Sequence, residues 1–195
     1  MSTSVAATED GWRELISGQR ANAGLCQVTL AQFNTEFEVL YPPTDIAGVP
    51  EFTLEPRGGT ALLDAAGRFI TEVGVWLSAL PEEQRPGQVI CLIMTDGHEN
   101  RSRQWTWETV KALITQQREV YDWEFIFLGA DIDAIEIGTR MGMAREYSMN
   151  FDKRDYGNNR AAFASTREVI SRQRMYGKSD DGGFSDEDRK RAMGR

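Results

Sequence analysis

At 195 residues, 41% apolar, with five Trp, five Tyr and nine Phe, the chain has the length of one domain and enough apolar mass for a substantial core, which excludes global disorder. Its 22 Lys and Arg against 30 Asp and Glu leave a net charge of −8, which opposes attraction to nucleic-acid phosphates and anionic lipid, so neither is an expected partner. The longest clear apolar run, Val89 to Met94, falls far short of the roughly 20 residues a spanning helix needs, and the N-terminus is neither basic nor apolar; a cytoplasmic location is expected.

The stretch TEDGWRELISGQRANAG, from Thr8, predicts a short helix capped by Thr8, with Trp12, Leu15 and Ile16 on one face and Gly24 closing it. Apolar and polar residues alternate over Leu25 to Phe33 and again over Glu36 to Tyr41, with a turn at Asn34-Thr35, which predicts an antiparallel hairpin ended by Pro42-Pro43. Arg57-Gly58-Gly59-Thr60 opens a long helix whose Leu62, Leu63, Ala66, Phe69, Ile70, Val73 and Leu77 recur at helical spacing until Pro81. Gln88 to Thr95 is a near-continuous apolar run, the pattern of a strand covered on both faces, and it leads into Asp96-Gly97. A helix over Thr106 to Glu119, a buried strand over Trp123 to Leu128, a short helix over Asp133 to Met141 capped by Asp131 or Asp133, a weak strand near Glu146 to Met149 and an amphipathic helix over Asn159 to Met175 complete the pattern. Residues 1–176 read as one domain, and 177–195, mixing Gly, Ser and charges of both signs, as a flexible charged tail. Cys26 and Cys91 sit in apolar strand-like runs, outside any metal-binding spacing, and are expected as buried reduced thiols.

Strands alternating with helices predict a doubly wound α/β fold: a mostly parallel sheet with helices on both faces and one antiparallel hairpin strand at its edge. Ligands in such sheets bind at the carboxyl ends of strands, where the Gly58-Gly59-Thr60 turn and the Thr95-Asp96-Gly97 turn are expected to face each other. Thr60 brings a hydroxyl and Asp96 a carboxylate, hard oxygen donors suited to Mg²⁺, Ca²⁺ or Mn²⁺. Taken singly, Thr60 reads as a helix cap and Asp96 as a turn former.

The order RGGTALLDA, then a helix, then VICLIMTDGHEN resembles von Willebrand factor A domains, and the resemblance extends from about Thr8 to about Met175. It implies a metal-ion-dependent adhesion site in which Thr60 and Asp96 match the second and third ligand loops, with one coordination position left for an acidic group of a protein partner. Gly58, Gly59 and Gly97 match the family's turns and, with His98, form the rim expected to meet that partner; Asp64 matches a common acid with no ligand role assigned. The first ligand loop, an Asp-x-Ser-x-Ser motif after an apolar strand, has no counterpart before Thr8, and Met1-Ser2 stands where that motif would just have ended. The expectation is therefore a chain that begins too late to hold the whole site, lacking the strand the family places between the hairpin and Val89 to Met94. Ser2 and Ser4 are the hydroxyls left to stand in, and ion binding is expected to be weak or absent.

His98 is the only histidine and has no partner for a zinc site; a solvated loop residue is expected, with no catalytic role. Trp105 and Trp107 are expected to pack the following helix; Arg101 and Arg103 have the charge to steer an acidic partner, although exposed loop arginines more often do nothing specific. The leading functional expectation is a non-enzymatic protein-interaction module. The rival is a metal-dependent hydrolase or phosphate-handling enzyme using Asp96 with the Gly-Gly-Thr turn as an anion cradle, although no phosphate-loop or dinucleotide motif is present.

Overall fold

The structure, a computed structural model, describes residues 2–56, 58–177 and 182–195, except the side chains of Ser2 and Thr3. Helix α1 (Ser2–Arg20) leads into the hairpin β1 (Gln27–Phe33) and β2 (Phe37–Asp45). Then come α2 (Leu62–Ala79), β3 (Ile90–Thr95), α3 (Trp107–Val120), β4 (Glu124–Gly129), α4 (Ala134–Arg140), β5 (Ser148–Asn150), α5 (Tyr156–Tyr176) and α6 (Asp186–Ala192).

β3, β4 and β5 form a parallel sheet in that order, in register from Ile90 opposite Glu124 to Thr95 opposite Gly129. β4 is buried along its whole length because side chains alternate across a strand and both faces are covered. Phe125 and Phe127 pack with Leu62, Ile70, Val110 and Ile114 of α2 and α3, whereas Ile126 and Leu128 pack with Ala162, Val169 and Ala192 of α5 and α6. On that second face α1 adds Leu15 and Ile16, which join Phe163 of α5. This is the expected doubly wound α/β arrangement, and no helix among the described residues is long and apolar enough to cross a membrane.

The hairpin forms a sheet of its own, and among the described residues no strand bridges β1 and β3. A cavity of about 1720 Å³ lies between them, walled by α1 and α5 on one side and α2 on the other. The gap falls where the resemblance implied a strand between the hairpin and Val89 to Met94.

Several local expectations need correction. Thr8 does not cap the first helix: α1 starts at Ser2, and the Thr8 hydroxyl donates to the Ser4 carbonyl at 2.9 Å. β2 does not stop at Pro42-Pro43 but runs on to Asp45, tolerable because β2 pairs only with β1 and its other side needs no donors. α5 starts at Tyr156, where the Asp155 carboxylate accepts from Asn158 N. Cys91 is buried, and burial pushes its thiol up to about 12, but Cys26 is only half-buried.

The stretch expected to fray is folded where it is described, although residues 178–181 lie outside the described residues. Phe184 and Ala192 enter the core at 4% and 0% exposure. Ser185 and Asp188 make a reciprocal capping box, and Asp188 also accepts from the Ser165 hydroxyl of α5 at 2.8 Å. Burial pushes the Asp188 carboxyl up, but bonds from Ser185, Ser165 and Arg191 outweigh it and hold the group at about 2. The Arg189 guanidinium bonds to the carbonyls of Phe184, Arg145, Glu146 and Ser148.

Two helical glycines separate intrinsic propensity from packing. A Cβ on Gly74 meets nothing within 4 Å, so Gly74→Ala is expected to stabilise the fold by about 0.5–1 kcal/mol. A Cβ on Gly11 would lie 2.2 Å from Phe163 Cδ2, where α1 crosses α5. Overpacking costs of about 1–3 kcal/mol exceed the propensity gain, so Gly11→Ala is expected to lower the urea midpoint at unchanged m.

Candidate functional site

The site is built by clasping the loop after β3 onto the first turn of α2. The opening backbone N–H groups of any helix lack internal partners. Here Glu99 and Ser102 supply them: Leu63 N donates to Glu99 Oε2 at 2.9 Å and Asp64 N to Ser102 Oγ at 3.0 Å. Glu99 also accepts from Arg101 N, Ser102 N and Ser102 Oγ at 2.9, 2.8 and 2.7 Å. Burial pushes its carboxyl up, yet these bonds hold it below the usual carboxylate range. Asp64 reciprocates by accepting from Arg103 N, Gln104 N and Trp105 N at 2.8 to 2.9 Å. Trp105 then packs flat against Gly67, where an added Cβ would lie 2.1 Å from Cδ2, and the Arg140 guanidinium stacks 3.9 Å above Trp107; packing is the role of both indoles.

The clasp decides between two readings of Thr60. It is not the helix cap, which is Ala61 with no side-chain bond. Instead its main chain is gripped by Asn100, Thr60 N donating to Asn100 Oδ1 at 3.1 Å and Asn100 N to Thr60 O at 3.0 Å. The Thr60 hydroxyl faces Gly97, so close that a Cβ there would lie 2.8 Å from Oγ1. Thr60 and Asp96 thus meet at one edge of the parallel sheet and border the same cavity. Gly59 has φ +85 and would press a Cβ 2.7 Å from Thr35 Cγ2 and 3.2 Å from Arg101 Cγ, so glycine is required there. Gly58 stands exposed in open space beside it. His98 is exposed and borders a separate cavity of about 330 Å³ with Asp131, Asp133 and Asp152. Ser4 lines the large cavity from α1, and the Ser2 side chain lies outside the described residues. Asp133 caps α4, accepting from Glu136 N at 2.9 Å.

Lys153, like the clasp of Glu99, Asn100 and Ser102, is something sequence reasoning missed. Its Nζ donates to Asp96 O at 3.1 Å, Asp96 Oδ2 at 3.2 Å and Asp131 Oδ2 at 3.0 Å, tying together the ends of β3 and β4. Asp131 sits at φ +57, a left-handed conformation for which aspartate is among the better-suited residues. Burial pushes the ammonium's pKa down, but Asp131 and Asp96 outweigh it and raise it above the usual lysine value. A divalent cation needs about six or more oxygen donors, several of them anionic. At this rim Thr60 and Asp96 supply one hydroxyl and one carboxylate, Asp131 brings a second carboxylate to the same ammonium, that cation already faces both, and the described residues contain no group of three or more acids, His or Cys arranged to hold a metal. This donor set does not fit a tight divalent-ion site.

The architecture places the chain among the Rossmann-like and von Willebrand factor A-like α/β folds. One solved structure like it is that of proximal thread matrix protein 1 from the mussel byssus, with a TM-score of 0.64 over 88% of this chain at 12% identity. The match spans 43% of the mussel protein and is a likeness of fold. No family model matches the sequence, and no curated protein matches it significantly.

Since the Glu99 carboxyl is held low in the folded state, its contribution to stability is present above the ordinary glutamate value of about 4.3 and is lost as pH falls below it. Glu99→Gln is expected to flatten that part of the acid limb while lowering stability near neutrality, measured as urea midpoints from pH 7 to pH 3.

Proposed function

We propose that the chain is a protein-interaction module that presents Gly58, Gly59, Thr60, Gly97 and His98 to its partner, with Asp96 neutralised by Lys153 in place of a tightly held ion. The observation that carries this reading is the clasp. Two loops far apart in sequence are fixed by bonds aimed at backbone N–H groups, so the rim is rigid before any partner arrives. Such preorganisation reduces the ordering cost of association. Arg101 lies against Gly59 at the same rim and steers an acidic group of the partner toward Thr60. A fold shared with a matrix protein of the mussel byssus is in keeping with a binding role. Mg²⁺, Ca²⁺ or Mn²⁺ binds here only weakly, since it must displace the Lys153 ammonium from Asp96.

Affinity capture from the host extract with the immobilised protein tests the interaction. Capture is expected to persist in EDTA and to fall about tenfold or more in Thr60→Arg and Arg101→Glu, a loss of about 1.4 kcal/mol or more. Phosphate-ester turnover that vanishes in Asp96→Asn would replace this reading with the enzymatic one. For the ion, calorimetric titration with Mn²⁺ is expected to show weak binding in the wild type and about tenfold tighter binding in Lys153→Ala, lost again when Asp96→Ala is added.

A further inference from the structure

The cavity between β1 and β3 is bordered by two open sheet edges. In a strand the N–H and C=O of one residue point the same way, and successive residues point to opposite sides. Val89 O and Thr95 O accept from Glu124 N and Ala130 N of the β4 chain, so Val89, Cys91, Ile93 and Thr95 direct their main chains toward β4. Ile90, Leu92 and Met94 therefore direct theirs into the cavity. Across it, Asn34 N donates to Glu36 O and Cys26 O accepts from Ile46 N, which turns those residues toward β2 and leaves Thr29, Ala31 and Phe33 facing the gap. No strand among the described residues pairs with either row.

The walls between these rows are apolar on both faces. Leu15 and Ile16 of α1 and Ile170 of α5 line one side, and Ala66, Phe69 and Ile70 of α2 the other. At about 1720 Å³ the space exceeds the roughly 300–1,000 Å³ of small-molecule sites. A lipid or aromatic ligand would fill apolar volume yet displace water from two rows of main-chain donors and acceptors without replacing its bonds, at a cost of about 1–3 kcal/mol per group. An extended polypeptide pairs with both rows at once, because its own polar groups alternate with the same period. At the end of the cavity where β1 and β3 begin, Arg85 and Arg174 bond to neutral oxygens of Leu80, Ser78, Gln19 and Ala23, so a carboxylate is the complementary charge there.

We propose that this slot receives a β-strand from a protein partner: an extended segment of about six residues, aliphatic on both faces, with an acidic residue at the end beside Arg85 and Arg174. The inserted strand joins the hairpin and the parallel sheet into one continuous sheet. The site is separate from the rim of Thr60 and Asp96, so rim-dependent capture can fail while strand insertion stands, and the reverse.

The test uses the whole protein and a synthetic peptide with one Glu, about six alternating Val and Ile residues and a Gly-Ser end, followed by amide-resolved hydrogen exchange. Exchange at Ile90, Leu92 and Met94 is expected to slow about tenfold or more on peptide addition, while Cys91 and Ile93, already paired to β4, hold their rates. The same peptide N-methylated at alternate residues is expected to give no such protection. Unchanged exchange at those three amides would overturn the proposal. So would equal protection by the N-methylated peptide, which would mark a general apolar cavity, or protection that grows with protein concentration alone, which would assign the slot to a second copy.

Discussion

One carboxylate holds the candidate edge in place. Glu99 accepts hydrogen bonds from the first turn of α2 and from its own loop at the same time, and in doing so decides where Thr60 and Asp96 stand relative to one another. Unpaired helix-terminal N–H groups carry partial positive charge, so an anion at that position is favoured twice, by hydrogen bonding and by the helix dipole. The grip of Asn100 on Thr60 belongs to the same loop, while Lys153 reaches Asp96 from the segment after β5.

The sheet behind that edge is divided. β4 is sealed on both faces, whereas β3 pairs on one side only and the hairpin stands apart. An open edge in a sheet is ordinarily managed by charge, proline or covering structure. β2 carries Pro42 and Pro43, which blunt the outer edge of the hairpin. The edges of β1 and β3 instead face each other across the cavity flanked by α1, α5 and α2.

Much of the layered fold was legible because it rests on periodicity. The apolar run before Asp96 and the helical spacing after Thr60 are dictated by burial and survive in any sequence that buries those faces. The placement of Thr60 and Asp96 at one edge was legible for the same reason, since each sits where a strand or helix with strong periodicity meets a glycine turn. Glu99, Asn100 and Ser102 were not found as a clasp, because bonds to backbone N–H groups place no demand on the residue types they meet. Lys153 lies 57 positions from Asp96, and no local pattern links the two. The α6 helix was hidden by composition: its charges read as solvated, although Ser185 with Asp188 three residues on is a helix-start signature.

That last helix bears on how the molecule can be handled. Arg189 ties it to the backbone of the segment around β5, and Phe184 and Ala192 cover Ile126 and Leu128. Cutting the chain after residue 176, as its charge pattern invites, would strip one wall from the central strand and lay Ile126 and Leu128 open to water.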